Sequence, residues 1–236
     1  MPASAPEFGP ILLSIVVPVL DEATNVAVML DALAPLRARG VEVIVVDGGS
    51  SDATTALAGP RGDAVITAPR GRARQMNAGA AQARGQCLLF LHADTHLPDA
   101  ADAAIAAALA GAPRDFAWGR FDLRIAGQSR LLTLIAALMN LRSRWSGIAT
   151  GDQALFMTRA AFNAVGGFPD QPLMEDIEIS KRLRRFARPI CLHQRVTTSG
   201  RRWEQHGVWG TIALMWRLRF LYWLGVSAER LAPLYR

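Results

Sequence analysis

In the stretch Gln86-Cys-Leu-Leu-Phe-Leu-His-Ala-Asp-Thr-His-Leu-Pro98, an apolar run that reads as a buried strand ends in a histidine and an aspartate two residues apart. Strand side chains alternate with period two, so His92 and Asp94 project to the same side where the strand leaves its sheet. A carboxylate and an imidazole held together there suit a divalent metal bridging a diphosphate, with phosphate oxygens and water completing the shell. The imidazole tilts the choice towards Mn2+ over Mg2+. His96 belongs to the loop leading to Pro98. By itself the pair is a modest signal, since many strands end in polar residues.

Three other segments carry residue types that do chemistry. Asp47-Gly-Gly-Ser-Ser-Asp52 reads as a strand end, a flexible turn and a helix cap, and its Asp47 could equally accept a hydrogen bond from a nucleobase. Pro69-Arg-Gly-Arg-Ala-Arg-Gln-Met-Asn-Ala-Gly79 sets arginines and an asparagine around a helix start, where free N–H groups already favour an anion. Arginines there oppose the helix dipole, so a phosphate partner explains them better than stability does. Glu175-Asp176 opens a helix; acidic residues stabilise a first turn, and an adjacent pair can also supply a general base. With Asp176 as the first position of an apolar stripe continued by Ile179 and Leu183, that side chain is expected to be partly buried with a raised pKa, and Glu175 to lie off the stripe.

These residues need a frame. The 236 residues are 51% hydrophobic, enough for one large α/β domain, and disorder is not expected to dominate. Strand-like runs alternate with helical segments: Ile11–Val19, Asn25–Arg37, Val41–Val46, Ala53–Ala58, Ala64–Ala68, Ala73–Ala83 and Cys87–Leu91. Such repetition predicts a doubly wound, mostly parallel sheet flanked by helices, with ligands bound beyond the carboxyl ends of the strands. Beyond Ala110 the pattern predicts a strand over Phe116–Ile125, a helix over Leu131–Met139, a strand over Gln153–Thr158, a helix over Asp176–Phe186, a strand over Pro189–Thr197, and one long apolar helix over Val208–Val226.

Composition excludes several classes. The net charge of +6 sits largely in arginine clusters, which suit phosphates or an anionic surface, but no RNA-binding signature is present. Two cysteines within apolar stretches give neither a disulfide framework nor zinc spacing. The N-terminus lacks a basic leader region, so a cytoplasmic protein is expected, with the inner face of the membrane as the alternative.

Taken in order, the segments resemble family 2 glycosyltransferases of the GT-A fold over roughly residues 12 to 206. Ser14-Ile-Val-Val-Pro-Val-Leu-Asp-Glu22 is similar to the family's opening strand, with Asp21 where asparagine is usual. Val45-Val-Asp-Gly-Gly-Ser-Ser-Asp52 resembles its nucleotide-binding turn, with Gly48 replacing a common second aspartate. Arg74-Gln-Met-Asn-Ala-Gly79 followed by Leu89-Phe-Leu-His-Ala-Asp94 resembles the nucleotide loop and Asp-x-Asp metal motif, with His92 in place of the first aspartate. Gly151-Asp-Gln-Ala-Leu-Phe-Met, Val165-Gly-Gly-Phe-Pro and Met174-Glu-Asp-Ile-Glu follow the acceptor-side order. The chain is also similar to a short bacterial group associated with radical-SAM and selenium-related gene neighbourhoods.

The resemblance implies an inverting, metal-assisted sugar transfer from a nucleotide-diphosphate donor, a UDP-sugar being favoured, to an acceptor hydroxyl that residue types do not specify. It implies donor contacts from Pro18, Glu22, Asp47, Arg72, Arg74, Asn77 and Asp94, a Mn2+ or Mg2+ ion on Asp94 and His92, and Asp176 as base with Glu175 as its competitor. His206 is a further metal ligand by the same resemblance, against the reading of a surface histidine. Processive members carry Gln-x-x-Arg-Trp; here Ser199 stands four residues before Trp203 where glutamine would be, which disfavours polymer synthesis.

One domain is expected over 1–236: about 11–110 binds the nucleotide sugar, about 111–206 binds the acceptor and carries the catalytic acids, and 207–236 forms the C-terminal helix. On that helix Trp209, Trp216 and Trp223, with Ile212 and Phe220, form one stripe beside Arg217 and Arg219, and Leu214, Leu218 and Leu221 line the other side. Two arginines would cost roughly 2.5–3.5 kcal/mol each at a bilayer centre, so peripheral lipid contact is expected rather than a span. A helix buried in the domain or in a dimer is the alternative. The competing functions are a sugar-phosphate nucleotidyltransferase, which would place a Gly-rich loop where Pro18-Val-Leu-Asp-Glu22 stands, and a nucleotide-sugar-binding protein that lost catalysis at His92.

Overall fold

A computed structural model describes residues 13–112 and 116–235. The chain runs β1 (Leu13–Val19), α1 (Val26–Ala38), β2 (Glu42–Asp47), α2 (Thr54–Ala58), β3 (Ala64–Thr67), α3 (Arg72–Gln82) and β4 (Cys87–Phe90). It continues with β5 (Thr95–His96), α4 (Ala101–Ala110), β6 (Trp118–Ile125), α5 (Leu131–Ser146), a 3-10 turn (Gly151–Gln153), β7 (Leu155–Thr158), α6 (Arg159–Ala164) and α7 (Glu175–Arg184). The last elements are β8 (Ile190–Thr198), α8 (Arg201–His206), α9 (Val208–Trp223) and α10 (Ala228–Tyr235). Ile11 and Leu12, the expected start of the first strand, lie outside the described residues.

One sheet takes the order β3-β2-β1-β4-β7-β6-β8-β5. Its first half is parallel, as the βαβ pattern predicts. The second half keeps the sheet mostly parallel, as expected, with two reversed strands: β7 runs antiparallel to β4 and β6, β8 parallel to β6, and β5 antiparallel to β8. The fold is therefore mixed α/β.

Both faces of β1, β2 and β4 are buried, and period two sorts their residues. Ile15, Val17, Val43, Val45 and Leu89 join α1, α4 and α5 in one core, whereas Val16, Ile44, Val46, Leu88 and Phe90 join α3, α6 and α7 in the other. Helix α3 sits close because Gly79 has no side chain: a Cβ there would come within 2.4 Å of Val16 Cγ1. That closeness brings the α3 start to the carboxyl edge of β1 and β2.

A third, smaller core joins Leu173, Met174 and Ile177, around the start of α7, to Leu218 of α9 and Leu231 of α10. The helix expected over Val208–Val226 is α9, and the single C-terminal helix expected over 207–236 is corrected to α9 and α10, separated at Gly225, whose φ of 89° no ordinary helix continues. Ile212, placed with the tryptophans by spacing, instead packs towards the first core.

Candidate active site

The loops after β1 and β2 are stitched to one another. Ser51 N–H donates to Asp21 Oδ1 at 2.7 Å, Asp21 N–H to Ser50 Oγ at 2.9 Å, and Glu22 N–H to Thr54 Oγ1 at 2.8 Å. Asp21 adopts φ 52°, a left-handed conformation that Asn and Asp tolerate best among non-glycine residues. Asp47 is 4% exposed, and its carboxylate accepts from Gly49 N–H at 2.9 Å, Ser50 N–H at 3.0 Å and the Ser50 hydroxyl. It shapes this turn and does not border the cleft.

That cleft opens at the carboxyl ends of β1 and β4. Pro18, Glu22, Arg72, His92 and Asp94 line it, with Asp152, Arg201, Arg202, Trp203 and Tyr235 completing the wall. Period two persists beyond β4: Leu91, Ala93 and Thr95 are buried, and His92 and Asp94 between them are half-buried at the cleft.

Gly151 organises the far wall. A Cβ on it would lie 2.4 Å from His92 Cε1, so only glycine lets the imidazole sit there, with Nδ1 at 3.4 Å from Asp152 Oδ1. The Gly151 N–H donates to Asp176 Oδ2 at 2.8 Å, which fixes the carboxylate at the start of α7 beside the same loop. Burial would raise the Asp152 carboxyl, but its contact with His92 and the charges of His92, Arg72 and Arg219 hold it below the usual range.

Glu175 corrects the expected pattern of burial. It, rather than Asp176, is the enclosed acid, at 3% exposure, and Arg72 Nη1 reaches its Oε1 at 3.3 Å. Burial pushes the Glu175 carboxyl up; Arg72 pulls it back, and Asp176 adds to the rise. A folded-state pKa above the unfolded one favours the protonated acid, so this contribution is full below the unfolded value of about 4.3 and is lost as pH rises through the folded value. Glu175→Gln stays neutral and escapes that loss. Its melting temperature relative to wild type should rise between about pH 4 and pH 8 in paired thermal melts; a flat or falling difference would contradict the raised pKa.

Besides Asp47, two expected donor contacts lie away from the cleft. Arg74 Nε donates to Asp170 Oδ1 at 2.7 Å on the surface, with both side chains more than half exposed. Asn77 is a strap: its amide exchanges two hydrogen bonds with the backbone of Phe168, at 2.8 and 2.9 Å. His96 pairs with Thr197 in the short β5–β8 ladder. The side chain of His206 lies outside the described residues.

The cleft also holds residues that local pattern did not single out. Tyr235 stacks on Arg202, whose guanidinium carbon lies 3.7 Å from the ring centroid and whose Nη2 donates to the Tyr235 carbonyl. Gln75 ties α3 to the sheet edge by donating to the carbonyls of Val19 and Val46 at 2.7 and 2.8 Å.

Among the described residues, no three His, Cys, Asp or Glu side chains stand close enough to hold a metal by themselves. The donor set still fits a hard cation shared with a diphosphate, because Asp94 and His92 border one cleft and phosphate and water supply the other ligands of such an ion.

A sequence profile described as Glycosyl transferase family 2 matches residues 14–166. The chain belongs to this family. The family match takes in the cleft residues from Pro18 to Asp152, and the α7 acids and the C-terminal helices follow it. A PGL/p-HBAD biosynthesis glycosyltransferase of Mycobacterium bovis is 30% identical over 176 residues, covering 66% of this chain and 63% of the relative, so the chain spans under two thirds of that relative's length. Among solved structures, S. aureus TarS aligns with TM-score 0.63 at 17% identity, over 80% of this chain and 61% of TarS. The mannosyltransferase PcManGT from Pyrobaculum calidifontis, in complex with GDP-Man and Mn2+, aligns with TM-score 0.60 at 18% identity, over 80% of this chain and 57% of PcManGT. The glucosyl-3-phosphoglycerate synthase from Mycobacterium tuberculosis, in complex with Mg2+ and UDP, aligns with TM-score 0.58 at 19% identity, over 80% and 70% of the two chains. TarS has also been solved with UDP-GlcNAc. At such identities the likeness shows the fold, and the fold is that of the family's glycosyltransferases.

Proposed function

We propose that this protein transfers a sugar from a nucleotide-diphosphate donor to an acceptor hydroxyl, by one inverting displacement and without processive extension. The observation that carries the reading is the cleft at the ends of β1 and β4, where Pro18, Glu22, Arg72, His92 and Asp94 meet and Gly151 holds Asp176 alongside. Residues of about 11–110 serve the donor and those of about 111–206 the acceptor. Arg72 brings positive charge to a leaving diphosphate. Asp94 and His92 would hold Mn2+ or Mg2+; a bound divalent ion neutralises the charge that develops on the leaving group.

Asp176 removes the acceptor proton. Its Oδ2 takes the Gly151 N–H and its Oδ1 the Ile177 N–H at 2.7 Å, so the carboxylate is oriented while lone pairs remain for the hydroxyl. Asp47 serves the donor's nucleobase through the turn that its carboxylate orders, and Arg74 and Asn77 act through α3. Ser199, in place of the processive glutamine, favours a single transfer. Membership of the short bacterial group belongs to the same reading. So does a cytoplasmic site of action, with peripheral attachment through Trp209, Trp216 and Trp223, which stand 74%, 74% and 76% exposed. Family membership counts against the nucleotidyltransferase alternative, and Gly151-held Asp176 against a purely binding protein.

Calorimetric titration with UDP-, GDP- and dTDP-sugars in Mn2+ tests this directly. One donor, a UDP-sugar by expectation, should bind and be slowly hydrolysed to nucleotide and free sugar. Heats indistinguishable from dilution for the whole panel would remove the reading.

A further inference from the structure

Two helices of this protein turn apolar faces to water. On α5, Leu131, Leu134, Leu138, Leu141 and Trp145 recur at three- and four-residue intervals, which stacks them on one side. They are 39%, 56%, 55%, 63% and 83% exposed. On α9, Trp209, Trp216, Phe220 and Trp223 form a second stripe, each more than half exposed. Four of the chain's six tryptophans therefore stand in solvent on these two helices, a concentration of apolar surface that marks an interaction site. The two helices meet the same core: Val208 and Ile212 of α9 pack against the cluster that α5 enters through Leu132, Ile135 and Ala136.

The segments that carry these stripes hold arginines and no acid, although Arg144 reaches back to Asp122 at 2.7 Å. No acidic residue occurs between Asp122 and Asp152 or between Glu204 and Glu229, whereas Arg124, Arg130, Arg142, Arg144, Arg217 and Arg219 do. At the Trp145 end of α5, Arg184 and Arg188 donate to the carbonyls of Ser146 and Trp145, at 2.5 and 3.0 Å, and add two more cations.

We propose that α5 and α9 together form a docking face for an anionic lipid bilayer. The inference rests on the attachment proposed for α9 only in its choice of partner, and it adds α5 as the second half of the surface. Self-association is the rival occupant, since the spacing on α5 would also suit a partner helix. Charge decides between them. A second copy would set arginine against arginine with no acid in either segment, whereas anionic headgroups supply the missing charge and interfacial tryptophans lie at headgroup level. The inner side of α9 is already taken: Leu214, Met215, Leu218 and Leu221 pack with Leu173, Met174 and Ile177. Among the described residues no helix is long and apolar enough to cross a membrane, so the contact is in the plane of the surface. The residues that α9 packs against flank Glu175 and Asp176, so this face belongs to the scaffold of the catalytic acids.

Flotation with vesicles tests the face without any sugar donor. At low salt the wild type should float with phosphatidylcholine vesicles containing phosphatidylglycerol, and bind at least about tenfold less to phosphatidylcholine alone or in high salt. The triple variant Leu134→Gln/Leu138→Gln/Leu141→Gln, altered only at exposed positions, should lose about tenfold or more of this binding. Circular dichroism and donor titration on the same preparation verify that it is folded, and read the glycosyltransferase proposal separately. A wild type that stays at the bottom overturns the lipid face altogether. A triple variant that floats as wild type removes α5 and leaves the α9 attachment standing. Light scattering that shows a wild-type dimer and a monomeric, non-floating triple variant would assign the face to a second copy, and the proposal would fall.

Discussion

Asp176→Asn is expected to lower sugar transfer by at least about a hundredfold while leaving donor and metal binding nearly intact, the scale expected when a general base is lost. The geometry makes this substitution informative. The carboxamide oxygen of asparagine can still accept the Gly151 N–H, now at 2.8 Å from Asp176 Oδ2, and gives up the Ile177 N–H bond to Oδ1, so the tie between α7 and the Gly151 loop is kept while the proton acceptor is removed. Glu175→Gln should do less to the rate. Glu175 is buried at 3% exposure with Arg72 against it, whereas Asp176 is only partly buried, so the change at Glu175 acts on the position of that arginine and on stability. The measurement is single-turnover transfer at equal donor occupancy for both variants, once an acceptor is in hand. A larger loss for Glu175→Gln than for Asp176→Asn would reverse the roles.

Glu175 and Asp176 also show how far residue pattern reaches. Helical periodicity placed Asp176 on the inward stripe with Ile179 and Leu183, and both of those leucine-type positions are indeed buried. At the first residue of a helix, however, burial depends on what lies above it. Met174 takes a left-handed φ of 65°, and the chain enters α7 so that Glu175 meets Arg72 of α3, more than a hundred residues away in a different unit of the pattern. No local rule carries that information. The α3 segment repeats the point on a smaller scale. Arg72 and Arg74 are two helical positions, about 200° apart, so one reaches the cleft and the other turns to Asp170 on the surface. Composition alone treats the two arginines alike.

His92 and Asp94 were legible because period two needs only the strand they follow, and the alternation continues past β4 as far as Thr95. The parallel half of the sheet was legible for a similar reason: short helices between apolar runs force crossover connections. The two reversed strands were not, since an apolar run such as β7 has no signature of direction, and the two-residue β5 is too short to carry any pattern. Asp152 and Tyr235 reach the cleft from segments whose own sequence is unremarkable in charge and period. Only the folded neighbourhood of Gly151 and Arg202 brings them there.

Asp94→Asn should abolish metal-stimulated turnover and weaken Mn2+ binding by about tenfold or more, whereas His92→Asp should preserve stimulation. The contrast follows from what each residue faces. Asp94 is a cleft carboxylate whose one side-chain partner among the described residues is weak, the Thr95 hydroxyl at 3.4 Å, so its charge is available to a cation. His92 already leans on Asp152, and an aspartate in its place would set a second carboxylate near Asp152 Oδ1. Without metal those like charges repel and should cost stability; with metal they share a cation, so the variant should depend on Mn2+ more steeply than wild type does. Donor hydrolysis measured against Mn2+ concentration, with thermal melts of each protein in EDTA and in Mn2+, separates the cases without needing an acceptor. Wild-type turnover and Mn2+ affinity in Asp94→Asn would place the metal elsewhere. A His92→Asp protein whose melting temperature ignores Mn2+ would remove the imidazole from the ligand set and leave it as the spacer that Gly151 was shaped to admit.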